Sequence, residues 1–215
     1  MVKTRLARHL PVPAVVELYR CLLDDTVTLV RSLQDSRSVI MCPASDVDEL
    51  SRLAGGGVQV VAQAGIGLAA ALTSVFERFA AGGRSRVVAF NSDSPHLPAS
   101  LLLRAFDELA SCDLVVGPTH DGGYYLVGAT TSHPELFTGD SLGTKNALEA
   151  LLTKARGSGL SVRLTSEFYD IDVASDLRRL ASELDLAPGR APRTSNWLAK
   201  WRQVLEDSQP GGLEP

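Results

Sequence analysis

Short apolar runs alternating with longer helical stretches constrain this sequence more than any other feature. The clearest runs are Val39-Ile40-Met41-Cys42, Val87-Val88-Ala89-Phe90 and Leu114-Val115-Val116; residues 58–62, 124–127 and 160–164 read as further strands. Runs without strict polar–apolar alternation describe strands covered on both faces, as in parallel sheets. Between them, apolar residues recur at helical spacing over 12–33, 46–53, 68–79, 98–109, 144–155 and 173–184. Gly55-Gly56-Gly57 and Gly82-Gly83 stop two of these helices, Pro98 opens a third and Thr144 caps a fourth. The alternation predicts a three-layer α/β domain with a mixed, mainly parallel sheet, the strand Val87–Phe90 at its centre and Val88 buried.

With 215 residues the chain is long enough to bury a core of its own. The domain is expected over 1–186. Residues 187–215 are expected to form a Pro/Gly linker, an amphipathic helix carrying Trp197 and Trp201 on one face, and a frayed polar tail. That tryptophan face reads as core or interface packing, and a homodimer is the assembly an interface would make. A formal net charge of -4 argues against a broad basic surface for nucleic acid. Cys21, Cys42 and Cys112 are widely spaced and predict free thiols in a reducing, cytoplasmic setting. No apolar stretch reaches membrane-spanning length.

In such sheets ligands gather beyond the carboxyl ends of strands. Asp93, in Asn91-Ser92-Asp93-Ser94-Pro95, follows the strand Val87–Phe90 and suits a hard cation such as Mg2+ or Mn2+; the plainer reading is a turn-closing aspartate. Gly117-Pro118-Thr119-His120-Asp121-Gly122-Gly123-Tyr124-Tyr125 reads as a hairpin turn, or as a place where glycines let backbone approach a ligand. Tyr169-Asp170-Ile171-Asp172 precedes a helix with Asp176 in its first turn, so Asp172 is either a helix-terminal charge or a second metal ligand beside Asp93. Lys3, Arg5 and Arg8 form a small basic cluster suited to phosphate. Gln63-Ala64-Gly65-Ile66-Gly67 makes a glycine-rich turn between a strand and a helix. A P-loop and a Gly-x-Ser-x-Gly nucleophile elbow are both missing.

Taken in order, Val2-Lys3-Thr4-Arg5-Leu6, Gln63 to Leu68, Ser92 to Leu97, Gly117 to Gly128 and Asp170-Ile171-Asp172 resemble one bacterial family. It has the glycosyltransferase-A fold, goes under the names glycosyltransferase or domain of unknown function, and is related to 2-phospholactate guanylyltransferases. The resemblance spans 1–186 and implies a Rossmann-like nucleotide-diphospho-sugar transferase fold. It implies that Lys3 and Arg5 contact nucleotide phosphates and that Gln63, Gly65, Gly67 and Ser92 line the nucleotide. It further implies that Asp93 and Asp172 bind Mg2+ or Mn2+, and that Asp121, Gly122, Gly123, Tyr124 and Thr144 line the acceptor pocket. The family carries a strand and a Pro-Gly loop before Lys-Thr-Arg-Leu, where this sequence has Met1-Val2. It also carries Trp-Gly-Thr where this sequence has Leu142-Gly143-Thr144.

Three functions follow as expectations. The first is a nucleotidyltransferase that moves a nucleoside monophosphate from a nucleoside triphosphate to a small phosphorylated acceptor, with Lys3, Arg5, Asp93 and Asp121 in catalytic roles. The second is a glycosyltransferase with a nucleotide-sugar donor, in which Asp121 acts as base. The third is a catalytically silent nucleotide-binding protein, a reading kept open by the absent first strand. The Lys-x-Arg pair and Asp-Ser-Pro in place of Asp-x-Asp favour the first.

Overall fold

A computed structural model of the chain describes residues 3, 5–81, 83, 86–187 and 189–207. It divides into two compact units: described residues within 1–29, 92–97 and 170–215 form one, and those within 30–91 and 98–169 form the other.

The second unit contains both sheets. Strands β1 (Val39–Cys42) and β2 (Gln59–Ala62) pair in parallel, register Val39 to Gln59. Strands β3 (Val87–Phe90), β4 (Leu114–Pro118), β5 (Tyr124–Ala129) and β6 (Val162–Leu164) form a sheet in the order β3-β5-β4-β6. β5 runs against β3 and β4, while β6 runs parallel to β4. The sheet is therefore mixed, with only β5 opposed to the rest.

The expectation that Val87–Phe90 lies centrally is corrected here. β3 is an edge strand of its sheet, and Val88 is only half-buried. Its unbroken apolar run resembles that of β4, which does lie inside the sheet and is buried at every residue. The apolar pattern reports coverage of the faces; it is blind to how many edges find a partner.

Helices follow the strands closely. α1 (Val12–Ser32), α2 (Val47–Ala54), α3 (Gly67–Ala81), α4 (Ala99–Glu108) and α5 (Ala147–Gly157) match the sequence periodicity. Thr144 is a correction: α5 starts at Ala147, not at Thr144. Thr144 instead closes the preceding turn, its hydroxyl donating to Ser141 O at 2.7 Å and accepting from Asn146 N at 3.2 Å. The core of this unit gathers Leu72 and Phe76 of α3, Leu114 and Val116 of β4, Val127 of β5, and Leu151 and Ala155 of α5. Phe76 stacks on Phe137 with ring centroids 5.5 Å apart.

The first unit is helical. It holds the start of α1 together with α6 (Ala174–Leu186) and α7 (Pro192–Asp207), which pack on each other. Asp25 of α1 is almost fully buried and accepts the Arg193 and Thr194 amides, at 3.0 and 2.7 Å. The carboxylate thereby satisfies two of the otherwise orphan N–H groups at the start of α7. Lys200 pairs with Glu17 at 2.9 Å and adds a second α1–α7 tie. Trp197 is buried, and Trp201 stacks on it at 6.0 Å, so this face packs within the unit. All three cysteines are free thiols. Among the described residues no helix is long and apolar enough to cross a membrane.

Candidate active site

Four of the charged residues singled out by the sequence meet in the first unit. Asp93 belongs to the short segment Ser92–Leu97, and Asp172 lies eight residues beyond β6. A backbone bond joins their segments: Ile171 N donates to Asp93 O at 2.9 Å. Lys3 Nζ then sits 3.0 Å from Asp93 Oδ1 and 3.9 Å from Asp172 Oδ1. Arg5 Nη1 donates to Asp172 Oδ2 at 2.7 Å. One ammonium therefore lies within 4 Å of an oxygen of each carboxylate.

Two plain alternatives for these aspartates are now distinguishable. Capping of α6 falls to Asp176, whose Oδ2 accepts the amides of Asp172 and Val173 at 2.9 and 2.8 Å. That frees the Asp172 side chain from the helix end and turns it toward Lys3 and Arg5. The Asp93 carboxylate likewise faces Lys3. Lys3 is the unusual member. Its side chain is 6% exposed, and its backbone is left-handed at φ 52°, uncommon for a residue with a Cβ. Leu6 N donates to Lys3 O at 3.0 Å and Ala7 N at 3.3 Å, so the turn that starts the 3₁₀ helix Leu6–Arg8 holds that pose.

Among the described residues no group of three or more His, Cys, Asp and Glu side chains could hold a metal ion. Asp93 and Asp172 nevertheless offer the hard oxygens that Mg2+ or Mn2+ prefers. Mg2+ commonly takes only one or two carboxylates and completes its shell with water and substrate phosphates. The donor set fits such an ion, and Lys3 holds the position between the donors.

Ser92 lies in the same segment, its carbonyl accepting from Thr26 Oγ1 at 3.5 Å. The remaining candidates lie in the second unit, in two loops. In the first, Gln63 N extends the β1–β2 pairing by donating to Cys42 O at 2.8 Å, and its side-chain amide donates to Gly65 O at 3.2 Å. Gly65 has φ 77°, and a Cβ there would crowd Ala70, so the turn requires glycine. Ile66 at the tip is almost wholly exposed.

In the second loop, β4 and β5 are joined by the hairpin 119–123. Thr119 N donates to Gly123 O at 3.0 Å and Gly122 N to Thr119 O at 3.2 Å. Asp121 Oδ1 accepts from the Thr119 hydroxyl at 2.6 Å and from Gly123 N at 3.3 Å. The hydroxyl bond is the chief reason the Asp121 carboxyl lies below its ordinary range. Gly122 has φ 86°, and a Cβ there would overlap the Lys145 carbonyl oxygen. Leu148 N donates to Gly122 O at 3.0 Å, fixing the start of α5 over this turn, and Thr144 lies on that same segment. His120 pairs with Glu167 at 3.1 Å. Tyr124 packs against the core cluster, and burial pushes its phenol up to about 12.

Two participants escaped the sequence reading. Thr119 is one, and the Thr-x-Asp spacing that makes an Asx-type turn was the available signal. Lys145, whose charge helps lower the Asp121 carboxyl, is the other, and nothing local in Thr-Lys-Asn announces it.

A family model for DUF2064, "Uncharacterized protein conserved in bacteria", matches residues 26–144, more than half of the sequence. The chain belongs to this family. This DUF2064 protein is also similar to a solved "putative nucleotide-diphospho-sugar transferase" from Desulfovibrio desulfuricans G20. The two share 26% identity at TM-score 0.88, over 96% of this chain and 91% of the other. A second solved structure, 4-diphosphocytidyl-2C-methyl-D-erythritol synthase from Anaerococcus prevotii DSM 20548, is 13% identical at TM-score 0.55. That match covers 76% of this chain and 86% of the other, and it concerns the fold. No curated protein matches the chain. The fold is the mixed α/β nucleotide-diphospho-sugar transferase fold.

Proposed function

We propose that this DUF2064 protein is a nucleotide-dependent transferase that moves a nucleoside monophosphate from a nucleoside triphosphate to a small phosphorylated acceptor. The observation that carries this reading is the pairing of Lys3 and Arg5 with Asp93 and Asp172. Two cationic side chains suited to phosphate oxygens stand against two carboxylates suited to a hard cation. Kinship of fold with nucleotide-linked transferases supports it.

The chemistry asks little covalent work of the protein. An acceptor phosphate oxygen attacks the α-phosphorus, the bond from that phosphorus to the bridging oxygen breaks, and pyrophosphate leaves with the electron pair. Lys3 and Arg5 neutralise phosphate charge that grows on the leaving group. A divalent ion held by Asp93 and Asp172 would supply further charge neutralisation and hold the phosphates in place. Asp121 is bonded to Thr119 and Gly123 and has a lowered pKa, which makes it a weak base at neutral pH. We assign it to shaping its own turn.

A second reading has one specific observation in its favour. The relative that is 26% identical bears the name of a nucleotide-diphospho-sugar transferase, which makes a nucleotide-sugar the competing donor. A thermal-shift panel of nucleoside triphosphates and nucleotide-sugars, with and without Mg2+, separates the readings, because a ligand of the folded state raises its melting temperature. A Mg2+-dependent shift with a triphosphate supports nucleotidyl transfer, and one with a nucleotide-sugar supports glycosyl transfer. No shift with any of them sinks both and leaves a silent protein.

A further inference from the structure

We propose that Lys3 is the resident cation of the Asp93–Asp172 pair, so that a divalent ion enters only together with an anionic ligand that draws Lys3 away. The inference rests on the metal assignment proposed above and adds a rule of binding order to it.

Charge balance argues for it first. Asp93 and Asp172 contribute two negative charges, and Lys3 and Arg5 contribute two positive ones. These four side chains cancel, and the Asp176 carboxylate stands beside them on the Asp172 amide. A bare divalent ion would add two positive charges beside a Lys3 side chain that is only 6% exposed. An ion accompanied by phosphates brings its own compensation.

Geometry argues for it next. The ammonium lies within 4 Å of an oxygen of each carboxylate. A metal bound to both would need, at about 2.0–2.1 Å, the same two oxygens that the ammonium already contacts. Metal and Lys3 therefore compete for one place. Arg5 approaches Asp172 through the other carboxylate oxygen, Oδ2, and does not block the Oδ1 that faces Lys3. The Lys3 backbone at φ 52° is held by the Leu6 and Ala7 amides, so the side chain can leave the carboxylates while the turn stays in place.

The experiment measures binding of Mn2+ alone, by electron paramagnetic resonance, to the full chain without nucleotide. Wild type should bind weakly. Lys3→Met should create one site at least about tenfold tighter, because the competing charge is gone. Lys3→Arg, which keeps a cation, should stay weak, and the double variant Lys3→Met/Asp93→Asn should lose the new site. A measurement on wild type guards against a misfolded variant: peptide-resolved acetylation of Lys3 should rise as Mn2+ and pyrophosphate are added together. Equal Mn2+ affinity of wild type and Lys3→Met, or Lys3 acetylation unmoved by a ligand that binds, overturns the competition while leaving the metal assignment standing. Absence of Mn2+ binding to every variant, with or without nucleoside triphosphate, overturns both.

Discussion

Asp93 and Asp121 occupy matching places in the chain: each stands three residues past the last residue of a strand, β3 for one and β4 for the other. Each therefore satisfies the same rule for finding a ligand site. Their partners differ. Asp93 faces the flexible end of a lysine, a contact another cation can replace without breaking the backbone. Asp121 is bonded to the hydroxyl and the amide of its own turn, so any ligand it takes must compete with the hairpin. Position after a strand is shared by the two carboxylates; their partners, a lysine side chain and a local turn, are not.

The largest effect that separates the two loops is on ligand binding. Asp93→Asn keeps shape and removes the charge facing Lys3. Mg2+-dependent stabilisation by a bound nucleotide, ~2.7 kcal/mol at one hundred times Kd, should vanish, with circular dichroism unchanged. Asp121→Asn should keep most of that stabilisation. Retention of the full Mg2+-dependent shift by Asp93→Asn would place the metal elsewhere and undo the contrast.

The Ser92–Leu97 segment carries a pH sensitivity of its own, through a buried histidine. His96 is fully buried, and burial, followed by the charges of Arg190 and Arg179, pushes its pKa down to about 3. Glu183 Oε2 lies 3.9 Å from its Nε2, but Glu183 is also engaged by Arg179 at 3.1 Å. Above the ordinary histidine range both states are neutral, and His96 adds no slope. Between about 6.5 and about 3 the unfolded chain takes up a proton that the folded chain refuses, so stability falls as pH falls. The full loss is roughly 3–5 kcal/mol. Denaturant melts of wild type and His96→Gln across that window test this, and the same acid slope in both would show that His96 is not its source.

Gly122→Ala tests the rigidity of the hairpin. A Cβ would overlap the Lys145 carbonyl oxygen at a positive φ, and a cost of roughly 2–4 kcal/mol is expected from the clash and the strain. A loss of unfolding free energy below roughly 0.5 kcal/mol, from denaturant melts, would show that the 144–148 segment yields easily.

The sequence reached much of this through patterns that are local. Among the described residues, helical spacing and apolar runs located the α-helices and strands to within a few residues, because each pattern is written in consecutive side chains. It went wrong where the deciding partner is distant. β3 and β4 have similar apolar runs, but β4 is paired on both edges and β3 on one. Thr144 has the chemistry of a helix cap, yet the bond from Leu148 N to Gly122 O sets where α5 begins. At the site, Asp93 and Asp172 were singled out by their places after a strand and before a helix, Lys3 and Arg5 as a basic cluster, and their roles by the family resemblance. That Lys3 would stand between the carboxylates depends on a fold that joins positions far apart in the chain. Asp172 and Asp176 could each have capped α6, and only the backbone path gave that task to Asp176.

The smallest expected effect is the sharpest test of what Asp121 does. Thr119→Val keeps the shape and removes the hydroxyl that donates to Asp121 Oδ1 at 2.6 Å. A hydrogen bond from the buried Thr119 hydroxyl to a charged acceptor at a partly buried turn is expected to contribute ~1.5 kcal/mol. The sign with pH follows from the lowered Asp121 pKa. A carboxylate whose folded pKa lies below its unfolded value contributes stability above the unfolded pKa and loses it as pH falls through the folded one. The wild-type advantage over Thr119→Val should therefore be full at pH 7 and shrink in acid, and Thr119→Ser, which restores the donor, should recover it. Gly123 N still reaches Asp121 Oδ1 in the variant, so part of the lowering should survive. Nucleotide binding should be unaffected if the hydroxyl serves the turn alone. If Thr119→Val weakens nucleotide binding as much as Asp93→Asn does, with stability intact, the hairpin is part of the binding site, and the division between an exchangeable aspartate and a locked one fails.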